Sequence, residues 1–131
     1  MTPKEVVQKG YDCFTSGDME TFVGLFHDEC VVTMNGMHKF SGTYNGINEF
    51  MGVLAQIPSH FGNFSVKVTN MISEGDQVST QLDATADGLE AKFGHFHKMN
   101  PSFTEKCCAW YQKLTYLVSE CRRCIRFFYN L

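Results

Sequence analysis

The chain has 131 residues, 44% hydrophobic and 14% aromatic, with a net charge of −3 and a sequence pI near 5.9. That is enough length and apolar content for one packed domain, and it is not the composition of a disordered segment. The mild acidity argues against a nucleic-acid surface. No stretch reaches the roughly 18 apolar residues of a membrane span, and the opening MTPKEVVQKG lacks a signal peptide's apolar run, so the expected setting is cytoplasmic, with no membrane partner.

Thr2-Pro3-Lys4-Glu5 opens a first helix. Thr2 is the cap, Pro3 suits the first helical position, and Glu5 completes a capping box. Val7, Tyr11 and Phe14 form one apolar stripe. Gly17 suits a left-handed helix end, and Asp18 caps a second helix whose buried face is Met19, Phe22, Val23 and Phe26. His27 falls at the end of that helix, and Asp28-Glu29 follow it as solvated acids. The β-branched run from Cys30 to Met34 predicts a strand, Asn35-Gly36 a turn, and 40–44 a second short strand. Asn45 caps a third helix with Ile47, Phe50, Met51 and Leu54 on one side, and Pro58 stops it. Phe64, Val66, Val68, Asn70 and Ile72 alternate with polar residues, so a long strand runs there. Glu74-Gly75-Asp76 turns the chain into Val78, Thr80, Leu82 and Ala84, and Asp87-Gly88 turns it again into a strand from Ala91 to Met99. Residues 108–118 have strand content, and 119–129 read as a short terminal helix. The order is that of an α+β domain, with helices on one face of a curved antiparallel sheet.

The six cysteines read as thiols of a reducing compartment, Cys13 and Cys30 as small core residues. Cys107-Cys108 with Cys121 and Cys124 make a poor zinc site, because adjacent cysteines seldom ligate one ion. Residues 101–131 differ from the rest in composition. They hold all three Arg, four of the six Cys, and neither Gly nor Met; their 5 basic and 2 acidic residues follow 6 Lys and 12 acids in residues 1–100. Two readings stand open: a basic terminal strand and helix, or a segment from an altered reading frame.

YDCFTSGDMETFVGLFHDECVV, then FSGTYNGINEFM, then the Glu74-Gly75-Asp76 turn, resembles the SnoaL-like polyketide cyclase family of the nuclear transport factor 2-like superfamily, to which ketosteroid isomerase also belongs. The resemblance covers roughly residues 3–100. It implies a single domain shaped as a cone-like α+β barrel, three helices on a curved sheet, and a small apolar molecule held between them. It also implies a homodimer and no cofactor. Within the resemblance, residues 101–131 are atypical, because no glycine turn follows the fifth strand.

Laid over the isomerase, the chain has Met34 where that enzyme has its general-base carboxylate, which a thioether cannot replace, and His95 where it has a protonated acid. His95 and His97 alternate along one strand, so both point to one face, with Phe93 and Met99 beside them. Imidazole titrates near neutrality and serves as acid or base, which makes His95 and His97 the candidate catalytic residues. A metal held by the two would need a third ligand, Asp83 or His38, and no spacing supports one; Asp83 reads as facing outward. Of the aromatics, Tyr11, Phe14, Phe26, Tyr44 and Phe50, with Met34, are the expected ligand contacts, and the hydroxyls of Tyr11 and Tyr44 are placed to orient a polar group. The function expected is acid/base chemistry on a small apolar carbonyl compound. The alternatives are a binding protein that does not catalyse and an interaction module of the same fold.

Overall fold

The computed structural model describes residues 2–35, 39–100 and 103–114, apart from the side chains of residues 93, 100 and 103–114. Helix α1 (Pro3–Ser16) begins on the expected capping box: Glu5 N–H donates to Thr2 Oγ1 at 3.3 Å, and Thr2 N–H to the Glu5 carboxylate at 2.6 Å. Gly17, at φ 81°, ends it in the left-handed region, and its N–H donates to the Cys13 carbonyl. The Asp18 carboxylate then accepts from Thr21 N–H at 3.1 Å and caps α2 (Met19–Gly24).

Helix α2 is shorter than its apolar spacing predicts. Phe26 and His27 belong instead to strand β1 (Phe26–Met34), which starts four residues before Cys30. Phe26, Cys30, Val32 and Met34 are all buried, with a register irregularity against the neighbouring strand between Phe26 and Val31. Spacing of i, i+4 fits a strand as well as a helix, so periodicity alone could not place the boundary. His27 is therefore a half-buried strand residue, whose Nδ1 accepts from Glu29 N–H at 3.1 Å.

Strand β2 (Gly42–Asn45) leads into α3 (Ile47–Leu54). The cap of α3 is Gly46, not Asn45. Gly46 sits at φ 85°, its N–H reaches the Cys30 carbonyl at 2.7 Å, and a Cβ there would lie 3.2 Å from the Asp28 carbonyl oxygen. That close approach favours glycine. Asn45 takes part through its backbone, donating to the Glu49 carboxylate at 2.7 Å. Helix α3 ends before Pro58, which lies in the first turn of a short α4 (Ile57–His60).

Strands β3 (Ser65–Glu74), β4 (Gln77–Ala86), β5 (Leu89–Asn100) and β6 (Phe103–Leu114) complete one six-stranded sheet in the order β2-β1-β6-β5-β4-β3. Neighbours are antiparallel except β1 and β6, which run parallel. In β3 the ladder skips Thr69, and this bulge exchanges the two faces. Met71 is buried in consequence, while Ile72, expected on the inner face, is 62% exposed.

Strand β6 pairs with β1 on one side and β5 on the other, so residues after Asn100 do complete the sheet. The strand expected over 108–118 begins earlier, at Phe103. The expected terminal helix over 119–129, Gly36 and His38 lie outside the described residues.

The helices cover one face of the sheet. Val6, Val7, Phe22, Phe50 and Val53 pack there against Cys30, Val32, Val78 and Met99. No described helix is long and apolar enough to cross a membrane.

Candidate functional site

Between α1 and the inner face of the sheet lies a cavity of about 100 Å³. Helix α1 contributes Val6, Val7, Tyr11 and Phe14, and β1 contributes Phe26, Val32 and Met34. Phe50 and Leu54 come from α3, Phe64 and Val66 from around the start of β3, and His95 and His97 from β5. Five phenylalanine rings run in series along the wall. Phe64 to Phe14 spans 6.4 Å between centroids, Phe14 to Phe22 6.3 Å, Phe22 to Phe26 5.0 Å and Phe26 to Phe50 6.0 Å.

Among the described lining residues, the side chains that form conventional hydrogen bonds are Tyr11, His95 and His97, and they bond to one another. Tyr11 Oη lies 2.7 Å from His95 Nδ1 and 3.1 Å from His97 Nε2. The phenol ring stacks on His95 at 15° and meets His97 edge-on at 88°. Which atom donates in each contact depends on the tautomers of the two rings. In one arrangement that serves both contacts, Tyr11 donates to His95 Nδ1 and His97 Nε2–H donates to Tyr11. A hydroxyl has one donor and two lone pairs, so it can serve both rings at once.

Both imidazoles are 7% exposed. Burial, and then the nearby His97, hold His95 well below the ordinary imidazole range, and burial pushes His97 down to about 3. Removing an imidazolium from water costs more than removing the neutral ring. The cluster is therefore uncharged at neutral pH, an array of donors and acceptors rather than a charge.

Beside it on β4 stands Thr80, fully buried, paired in register with His95, its hydroxyl without a hydrogen-bond partner. The alternation of Val78, Thr80, Leu82 and Ala84 placed Thr80 on the inner face. Nothing local in the sequence signalled that its hydroxyl goes unmatched.

Tyr11, Phe14, Phe26, Met34 and Phe50 all line the cavity, and Tyr44 does not. Its hydroxyl donates to the Phe40 carbonyl at 2.7 Å and bridges the two ends of the approach to β2. Asp83 is on the outer face, 3.2 Å from Lys92 Nζ, turned away from the histidines. No group of three His, Cys, Asp or Glu among the described residues is arranged to hold a metal ion. His60 accepts from Lys39 Nζ at 2.7 Å, on the surface. Cys13 and Cys30 are buried thiols of the core; desolvation, followed by the charge of Asp18, raises the Cys13 thiol.

The model of the SnoaL-like domain family matches residues 7–111. The match runs into β6, beyond the roughly 3–100 that the motifs covered. None of the curated proteins matches the chain. Among solved structures, a protein of unknown function with a cystatin-like fold from Xanthomonas campestris superposes with a TM-score of 0.78 at 17% identity, covering 88% of this chain and 92% of that one. TerC, co-crystallised with polyporic acid, gives 0.74 at 20% identity, over 86% and 92%. Bal32a, from a soil-derived mobile gene cassette, gives 0.73 at 20%, over 85% and 87%. Similarity at that level establishes the fold alone.

Proposed function

Because the chain belongs to the SnoaL-like domain family, we propose that it performs acid/base chemistry on a small apolar carbonyl compound held against Tyr11, His95 and His97. The observation that carries this reading is a single hydrogen-bonded polar cluster set into a wall otherwise made of hydrocarbon and thioether. Proton abstraction beside a carbonyl needs an unprotonated base, a donor for the oxygen, and little water. Burial keeps both imidazoles unprotonated. In the tautomer where Tyr11 donates to His95 and His97 Nε2–H donates to Tyr11, the second nitrogen of His97 is the basic one. It takes the proton from the carbon next to the carbonyl while the Tyr11 hydroxyl turns from His95 to the developing enolate oxygen. Returning the proton to carbon closes the cycle with no net change in the protein. An imidazole of low pKa is a weak base, so most of the barrier reduction falls to the Tyr11 donor.

The test is exchange of α-protons for deuterium in a panel of cyclic ketones and β-keto esters, followed by NMR. Tyr11→Phe is expected to slow the exchange by about a thousandfold, the upper range for one oxyanion donor, and His97→Gln by about a hundredfold, the lower range for one acid or base group. Rates equal to wild type in both folded variants would remove the proposed roles.

A second reading has its own support. Met34, in the position that the resemblance gives to the isomerase's base, is a buried thioether, and no described lining side chain is a carboxylate. A protein that binds such a molecule without reacting would be stabilised by panel members yet catalyse no exchange.

A further inference from the structure

We infer that the cavity selects a neutral, single-ring compound with one oxygen function, about the size of cyclohexanone, and excludes both charged analogues of that size and fused-ring compounds. This rests on the small-carbonyl reading above and narrows it by size and charge.

The size limit comes from the wall. A dry apolar cavity of about 150 Å³ accommodates benzene, so the space of about 100 Å³ within this wall has room for one small ring. The wall does not widen cheaply. Phe22, Phe26 and Phe50, three of the five serial rings, are 3%, 6% and 2% exposed and locked against one another. Displacing any of them opens voids elsewhere in a close-packed core. The softer part of the wall is Leu54, which is only half-buried.

The charge limit comes from what is on the wall. No described lining residue carries a formal charge at neutral pH, since the two imidazoles are unprotonated. Among the described lining residues an ionised carboxylate would find no counter-ion, and it could otherwise only force a proton onto a ring that burial disfavours charging. Among the described residues the polar end offers hydrogen bonds to a neutral oxygen and no charge to an ion.

Binding, measured independently of turnover, tests this. Cyclohexanone, cyclohexanecarboxylate and 1-decalone are titrated near neutral pH into the full chain, with NMR shifts of the His95 and His97 rings as the readout. The expected result is saturable binding of cyclohexanone, with the carboxylate at least about a hundredfold weaker for want of a counter-ion. The bicyclic ketone is expected to be at least about tenfold weaker, the cost of a modest steric misfit. In Leu54→Ala the gap between the two ketones should narrow. Equal affinity for the carboxylate overturns the charge limit. Equal affinity for 1-decalone in the wild type, or an unchanged gap in a folded Leu54→Ala protein, overturns the size limit. Absence of cyclohexanone binding with both ring signals intact overturns the inference as a whole. Cyclohexanone that binds but never exchanges its α-protons leaves the inference standing and removes the catalytic reading instead.

Discussion

The two faces of β5 hold basic side chains under opposite conditions. On the outer face Lys92 pairs with Asp83 at 3.2 Å, with side chains 66% and 45% exposed. On the inner face, three and five residues on, His95 and His97 are buried and share one phenol hydroxyl. Water solvates the lysine in either state, so its ion pair changes little. The imidazoles exchange charge for hydrogen bonding, and the fold depends on their staying neutral. Positions a few residues apart on one strand can thus differ severalfold in energetic weight, and the candidate site lies on the face where the weight is greatest.

Acid should separate the two faces most. The unfolded chain protonates a histidine near 6.5, whereas folded His97 waits until about 3. Between those values the unfolded state binds more protons, so stability is full above about 6.5 and declines as pH falls towards 3. His97 alone accounts for about 3 kcal/mol between pH 6.5 and 4, and His95 adds in the same direction. Urea unfolding across that range should show the loss, and neither ring signal should titrate near 6.5. Removing the shared hydroxyl comes next: Tyr11→Phe takes one partner from each buried ring and should cost about 2 kcal/mol by denaturant unfolding. Thr80→Val should have the opposite sign. It deletes a buried hydroxyl that has no partner at almost constant volume, and should stabilise by about 1 kcal/mol in the same assay. Smallest is the outer face, where Lys92→Ala should change stability by less than about 0.5 kcal/mol. If Lys92→Ala proved more damaging than Tyr11→Phe, the contrast between the faces would collapse.

Much of this arrangement was legible in the sequence where the signal is local. Thr2 with Glu5, Gly17 with Asp18, and the period-two runs of β4 and β5 state their structure within a few residues. The errors fall where two structures satisfy one pattern or where a partner is distant. Phe22 and Phe26 fit a helix and a strand equally. The bulge at Thr69, which turns Ile72 outward, is a property of the ladder and not of the strand. Tyr44 shares the composition of a pocket aromatic, but its hydroxyl is committed to a nearby carbonyl. The inner-face histidines were visible as alternation. Their bond to Tyr11 was not, because 84 and 86 residues separate the partners. The neutrality of the rings follows from depth, which no spacing encodes.

Strand β6 has a consequence for how the molecule comes into being. It is the sole hydrogen-bonded link between β1–β2 and β3–β4–β5 among the described strands. A nascent chain that has reached Asn100 holds two unjoined ribbons, each with an open edge, and the histidine strand is one of those edges. The ribbons merge only when the following dozen residues leave the ribosome and slot between them. Until that moment the emerging polypeptide exposes unsatisfied strand edges to its neighbours, and those edges are open to aggregation until β6 covers them.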